Sequence, residues 1–258
     1  LAQLGHEVTG WDILDKTEMP RENFDGIIIS TPPDKHEQYM CNLGHPTFVE
    51  ASVLPYKCYS NVYPSCTLRF HPIVNQIKDD VRNTKPLHFI HHVGNYLPHW
   101  HPKEDYKDKY FAKKATGGAK EIVAFENIWL SWVFGPCEVI SGFHAKLSQL
   151  DMDADDYYSY TLAFEGGVKG TIVIDTLAYP TYRDFKLIYE GNSKNYDLQL
   201  GKDDWEAVYL RETEAFVKTV KGEMQWPYSV EADLCNLELL EQIENTDSFD
   251  KRFGIVEY

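Results

Sequence analysis

The sequence predicts an α/β protein in two parts: a short parallel sheet within residues 1–66, then over 67–258 a larger α/β part built on a mostly antiparallel sheet. Three observations carry this. Two apolar runs, Ile27-Ile-Ile29 and Thr47-Phe-Val49, flank a helical stretch, the βαβ rhythm of a parallel sheet with right-handed crossovers. Three consecutive isoleucines suit a strand buried on both faces. Over residues 136–200 apolar side chains recur in steps of two, as in 158–164, 168–174 and 185–189. Glycine-bearing turns at 165–167 and 190–193 separate these runs.

The elements follow in order. Leu1-Ala-Gln-Leu-Gly5 reads as the last turn of a helix with a glycine C-cap, and His6-Glu-Val-Thr-Gly-Trp-Asp12 as a short strand ending in an acid. Residues 24–30 are the next strand, stopped by Thr31-Pro-Pro33 because proline cannot donate to the ladder. Residues 34–43 form a short helix with Asp34 or Thr31 near its N-cap. Gly44-His-Pro46 breaks it, and 47–50 is a strand. A helical period over 72–82 sets Ile73, Ile77 and Val81 on one face. A second, apolar helix covers 127–134, and helices near 205–221 and 229–245 close the sequence.

Composition narrows the function. Hydrophobic residues make up 43% of the 258 and aromatics 14%, a globular composition able to bury a core. A net charge of −15 repels phosphate backbones, so nucleic acid is not an expected partner, although a few amides can still hold a single nucleotide. Five cysteines, odd in number and without CxxC spacing, predict free thiols in a reducing cytoplasm rather than a disulfide framework or a zinc site. No stretch approaches the roughly 20 apolar residues of a membrane helix. No basic N-terminus leads into an apolar core, so a cytoplasmic protein without a membrane partner is expected.

Four stretches, in their order and spacing, resemble the Gfo/Idh/MocA family of nicotinamide-dependent sugar oxidoreductases. Asp25-Gly-Ile-Ile-Ile-Ser-Thr-Pro-Pro-Asp-Lys-His36 resembles its fourth Rossmann strand and Thr-Pro-x-x-x-His turn. Phe48-Val-Glu50 resembles the strand that usually ends Glu-Lys-Pro. Leu68-Arg-Phe-His-Pro72 resembles the segment entering the second domain, and Gly117-Gly118 with a helix ending Trp132-Val-Phe-Gly135 resembles the approach to the catalytic helix. The resemblance implies a Rossmann-like nucleotide-binding domain over 1–66, incomplete at its start. It further implies a substrate and oligomerisation domain with an open, mostly antiparallel sheet over 67–258, and a homo-oligomer, dimer or tetramer.

The resemblance also implies a cofactor site. Ligands of open parallel sheets bind beyond the carboxyl ends of the strands, where residues 30–36 lie, and a helix start there offers free amides. Ser30, Thr31, Pro32 and His36 would line the nicotinamide side, with Glu50 beside them. Asp12 would accept hydrogen bonds from the adenosine ribose, favouring NAD over NADP. Read without the neighbouring matches, Asp12 is equally a turn or cap residue, and Thr31-Pro-Pro33 a strand stop.

Departures from the pattern are specific. No Gly-x-Gly-x-x-Gly occurs in the sequence; it would precede Leu1. Only twelve residues separate Asp12 from Asp25, and about a dozen lie between Ser52 and Ser65, where the family places a helix and a strand. Glu50-Ala51-Ser52 stands where the family has Glu-Lys-Pro, and Ile122 and Phe125 fall where it has a catalytic Asp and His. Glu50, Lys120, His71 and Tyr96 are the candidates for moving a proton. Glu50, Lys120, Glu121 and Glu126 could approach one cleft; equally they are a solvated helix start with acids near its positive end.

Gly94-Asn-Tyr-Leu-Pro-His-Trp-His-Pro-Lys-Glu-Asp-Tyr106 resembles a loop of family members linked to cell-surface sugars. Tyr96, His99 and Trp100 suit sugar rings, with Arg69 and Glu121 as further substrate contacts; packing is the competing role for this loop, and a domain-junction role for Arg69 and His71. His99, His101, Glu104 and Asp105 raise a metal, but nothing else in the pattern needs one, so no metal is expected. Two readings stay open: an NAD-dependent oxidoreductase of a sugar-like small molecule, or a catalytically impaired relative that binds a nucleotide, sugar or partner.

Overall fold

The structure is a computed structural model that describes residues 1–12, 23–40, 44–57, 60–100 and 103–246. Near its start, Ile27–Ile29 (β1), Thr47–Val49 (β2) and Val62–Pro64 (β3) form a parallel sheet in the order β1-β2-β3. A 3-10 turn, Pro33–Lys35, leads into a helix at His36–Met40 (α1). Residues 6–12, read from sequence as a strand, form none, for their amides and carbonyls enter no ladder. The glycine cap is present: Gly5 is left-handed (φ 82°) after a 3-10 turn at Ala2–Leu4. Part of the expected 34–43 helix, 41–43, lies outside the described residues, as does 13–22. The interval before Ser65, which looks too short for a further strand, holds β3.

The larger sheet has six strands: His88–Gly94 (β4), Cys137–Ala145 (β5), Tyr157–Phe164 (β6), Lys169–Asp175 (β7), Tyr182–Tyr189 (β8) and Asn192–Asp197 (β9). Their order is β5-β6-β7-β4-β8-β9, open at both edges. Only β4 and β7 run parallel. Pro72–Asn83 (α2), Ala119–Phe134 (α3) and Val230–Glu244 (α5) pack about it, and Lys202–Val220 is α4. The alternation of the strands is the burial pattern: Tyr158, Tyr160, Leu162 and Phe164 face the core while their neighbours do not. Phe89, Phe134, Phe164 and Phe185 meet there, Phe89 stacking on Phe134 at 4.6 Å. Helix α3 touches the large sheet, α2 and α5, so its apolar residues are not confined to one stripe; Val123, Trp129 and Leu130 are wholly buried.

The helices that end the described chain also cover the small sheet. Phe48 and Tyr63 on one face meet Phe216 of α4 and Trp226. Ile29, Val49 and Val62 on the other cluster with Met40 of α1 and with Val230 and Leu237 of α5.

Two glycines fix the start of α3. A Cβ on Gly117 would land on the backbone of Phe111, and one on Gly118 on the carbonyl of Asp155. Gly118 also adopts φ 69°, ψ −153°, a conformation essentially closed to other residues.

Candidate active site

The small sheet ends its strands at one edge, and the turns there build the site. After β1, Pro32 is extended (φ −54°, ψ 146°) and Pro33 begins the 3-10 turn. The turn is held from behind by His36, which is 2% exposed and donates through Nε2 to the Thr31 carbonyl at 2.7 Å. Burial lowers the His36 pKa, consistent with a neutral ring. After β2, the Glu50 amide donates to the Ile29 carbonyl at 3.1 Å, carrying the sheet one residue further. Ser52 then closes a tight turn, exchanging hydrogen bonds with both backbone groups of Leu54.

Between these turns and α3 lies a cavity of about 480 Å³. Ser30, Thr31, Pro32, Pro33, Glu50, Ala51 and Ser52 form its sheet side. Glu121, Ile122 and Phe125 reach it from α3, Asn95 and Trp100 from the loop after β4, Tyr110 from a 3-10 turn, and Tyr209 from α4.

The electrostatics of this cavity are unusual. Burial pushes the Glu50 carboxyl up to about 7, with the Glu212 carboxylate adding repulsion. Burial likewise pushes Glu121 up to about 7, the Tyr110 hydroxyl opposing and Glu50 reinforcing the rise. Tyr110 donates to Glu121 Oε1 over a long 3.4 Å, while Glu121 Oε2 is buried without a partner. Thr31 Oγ1 and the Trp100 indole Nε1 are also buried and unpartnered. Buried polar atoms of this kind are costly unless something binds them.

Glu212 of α4 supports the same edge from below. It is 3% exposed and accepts from Ser65 Oγ at 3.0 Å, the Cys66 amide at 2.6 Å and Thr67 Oγ1 at 2.6 Å. The turn after β3 is thereby tied to α4.

Of the residues singled out in the sequence, Ser30, Thr31, Pro32, Glu50, Glu121 and Trp100 meet at this cavity. Others do different work. His71 is the N-cap of α2: Nδ1 accepts from the amides of Ile73 and Val74, so Nε2 carries the proton donated to the Leu198 carbonyl. It is fully buried, and burial lowers its pKa to about 4. Arg69 donates to the carbonyls of Pro227 and Ile128 and lies over the Tyr228 ring at 4.4 Å. Lys120 is paired with Glu244 at 2.7 Å. Asp12 is outside the cavity and makes contacts of its own.

Tyr96 and Tyr179 sandwich His99 edge to face, at 4.9 and 4.8 Å, on the outer side of the loop whose Trp100 lines the cavity. His101 lies outside the described residues. Among the described residues no group of three or more His, Cys, Asp or Glu could hold a metal.

The solvated helix start is corrected. Lys120 is 9% exposed and Glu126 is wholly buried, accepting from His91 at 2.8 Å and Trp129 at 2.6 Å and pairing with Arg183 at 2.9 Å. Glu121 and Glu126 point different ways, as a five-residue spacing on a helix requires. Tyr110, Tyr209 and Glu212 are site residues without local signal: distant segments bring them in.

No protein-family model and no curated protein sequence matches the chain. Its fold does match solved structures, among them dehydrogenases and oxidoreductases. A myo-inositol dehydrogenase from Corynebacterium glutamicum superposes with a TM-score of 0.69 at 16% identity, over 87% of this chain and 78% of that one. The myo-inositol 2-dehydrogenase of Lactobacillus plantarum gives 0.69 at 14% identity, over 92% and 81%. The WlbA dehydrogenase of Bordetella pertussis, solved with NADH and UDP-GlcNAcA, gives 0.61 at 15%, over 86% and 77%. At these identities the likeness is one of fold: the three-stranded parallel sheet and the six-stranded mixed sheet with helices match the α/β Rossmann-like dehydrogenase architecture. Among the described residues no helix is long and apolar enough to cross a membrane.

Proposed function

We propose that the chain is a nicotinamide-dependent oxidoreductase of a small polyhydroxylated, sugar-like substrate, with Glu50 as the group that takes the alcohol proton. The observation that carries this reading is the pair Glu50 and Glu121, two carboxyls held near neutral pKa in a cavity beyond the carboxyl ends of parallel strands. Residues 1–66 are then the nucleotide side and 67–258 the substrate side. An oligomer would form through the open sheet face, where Ile90 is 43% exposed.

The residues present fit the nicotinamide half of such a cofactor. Pro32 and Ala51 offer apolar surface, and Thr31 Oγ1 and Trp100 Nε1 are buried polar atoms awaiting partners. A bound oxidised nicotinamide would supply the hydride acceptor. The chain's part is proton management and orientation. As the substrate C–H bond gives up its electron pair and a carbonyl forms, the hydroxyl proton passes to Glu50, whose pKa of about 7 suits both acceptance and return. Glu121, with a free oxygen, orients the substrate. His36 holds the Thr31 turn in place. Asp12 near the start of the chain favours NAD over NADP, because an acid repels a 2′-phosphate.

A second reading, a catalytically impaired relative that only binds, is favoured by the pairing of Lys120 with Glu244, which leaves the cavity without a lysine among the described residues. Calorimetric titration of NAD(H) and NADP(H) tests the first reading, and absence of binding by both refutes it. Alcohol oxidation should rise with pH through about 7 as Glu50 ionises. Binding without turnover would establish the second reading.

A further inference from the structure

The cavity's charge is one-sided. Among the described residues it is lined by two carboxylic acids and by no lysine, arginine or histidine. The two basic side chains neighbouring this part of α3 are already engaged: Lys120 with Glu244 at 2.7 Å, and Arg183 with Glu126 at 2.9 Å. Glu121 Oε2 is buried with no partner, and Oε1 has only the long contact from Tyr110. The walls are aromatic, with Trp100, Tyr110, Phe125 and Tyr209 on them.

We infer that this cavity selects a substrate bearing a protonated amine, an amino sugar or amino cyclitol, whose ammonium group is received by Glu121. The inference rests on the reading of the cavity as the substrate site and narrows the substrate class. Burying ionised carboxylates is costly unless a cation pairs with them. Among the described residues no side chain supplies that cation, and without one burial holds the pair partly protonated; a cationic ligand would let both ionise. Aromatic faces add attraction for a cation that they do not offer an anion. A uronate or sugar phosphate would bring a third negative group, and a neutral polyol would leave the two carboxyls unmatched.

The titratable groups facing the pair are few. Glu121 faces Tyr110 and Glu50; Glu50 faces Glu212 and Tyr209 of α4. These are all acids; the cation near them, Arg183 against Tyr209 and Phe125, is held by Glu126 at 2.9 Å. Ammonium binding should displace protons from the pair, giving proton release near neutral pH that a neutral sugar does not cause.

The test uses the full chain with saturating NAD⁺ and, in parallel, without it. Methyl glycosides of glucosamine, 6-amino-6-deoxyglucose, glucose and glucuronic acid are titrated by calorimetry at pH 7 in two buffers of different ionisation enthalpy. At least one amine should bind about tenfold tighter than the glucoside, the factor of one pKa unit, with proton release; the glucuronide should bind weakest. Glu121→Gln should abolish that preference, so that amine and glucoside bind alike. Equal affinities, no amine binding, preference for the glucuronide, or a preference that survives Glu121→Gln each overturns the inference. A separate NAD⁺ titration keeps the readings apart: failure there sinks the oxidoreductase assignment, whereas amine selectivity is scored in the cofactor-free arm.

Discussion

Replacing Glu121 by Gln should change how stability depends on pH, and by an amount the structure sets. The folded protein raises the Glu121 pKa from 4.5 to about 7, chiefly through burial. A group raised in the folded state contributes fully below its unfolded pKa, and that contribution is lost as pH climbs through the folded pKa. The displacement corresponds to about 3 kcal/mol at full ionisation, of which about 2–3 kcal/mol develops between pH 5 and pH 8. Glutamine has the same shape and does not titrate. The variant should therefore match the parent closely at pH 5 and exceed it by about 2–3 kcal/mol at pH 8. Urea unfolding at each pH, with equal m-values in the two proteins, reads this directly. A difference that stays constant across the range, or a variant that loses ground as pH rises, would show that Glu121 is not a buried acid facing a second one.

Two further substitutions probe the frame of the site. Glu212→Ala strands a backbone amide and two hydroxyls; Ser65 and Thr67, 3.1 Å apart, can partly satisfy each other, so the loss should be about 3 kcal/mol by chemical denaturation. An effect below about 1 kcal/mol would mean that water replaces the carboxylate at no cost. Gly118→Ala forces a Cβ onto the Asp155 carbonyl in a region of φ and ψ that alanine avoids. It should cost about 3 kcal/mol or more, seen as a lowered melting temperature, and an unchanged one would contradict the close approach.

The sequence is legible where one physical influence dominates. β6 and β7 are half-buried, so side chains alternate and the pattern is visible. β4 is hidden because its inward positions are Phe89, His91 and Val93, and a histidine interrupts the apolar period; its partner, Glu126, lies 35 residues away. β3 is three residues long and ends in proline, too little for a periodic signal. Glu50 is readable because an acid directly after a buried parallel strand lies at the carboxyl end of the sheet, where the cavity is. His71 and Arg69 mislead because titratable groups look chemical, whereas both are engaged with backbone amides and carbonyls. A histidine immediately before a helix-starting proline is also a well-placed cap, and that is its use here. Tyr110 and Tyr209 come from separate segments and carry no local mark.

The covering of the small sheet by α4 and α5 has a consequence for biosynthesis. Phe216, Val230 and Leu237, which shield Phe48, Tyr63, Val49 and Val62, are made more than 150 residues after them. At ordinary translation speeds of about 5–20 residues per second, the early strands wait for roughly ten seconds or more with apolar surface uncovered. The small sheet is thus secured only once the chain has been made through Leu237, so its folding waits on a segment far along the sequence.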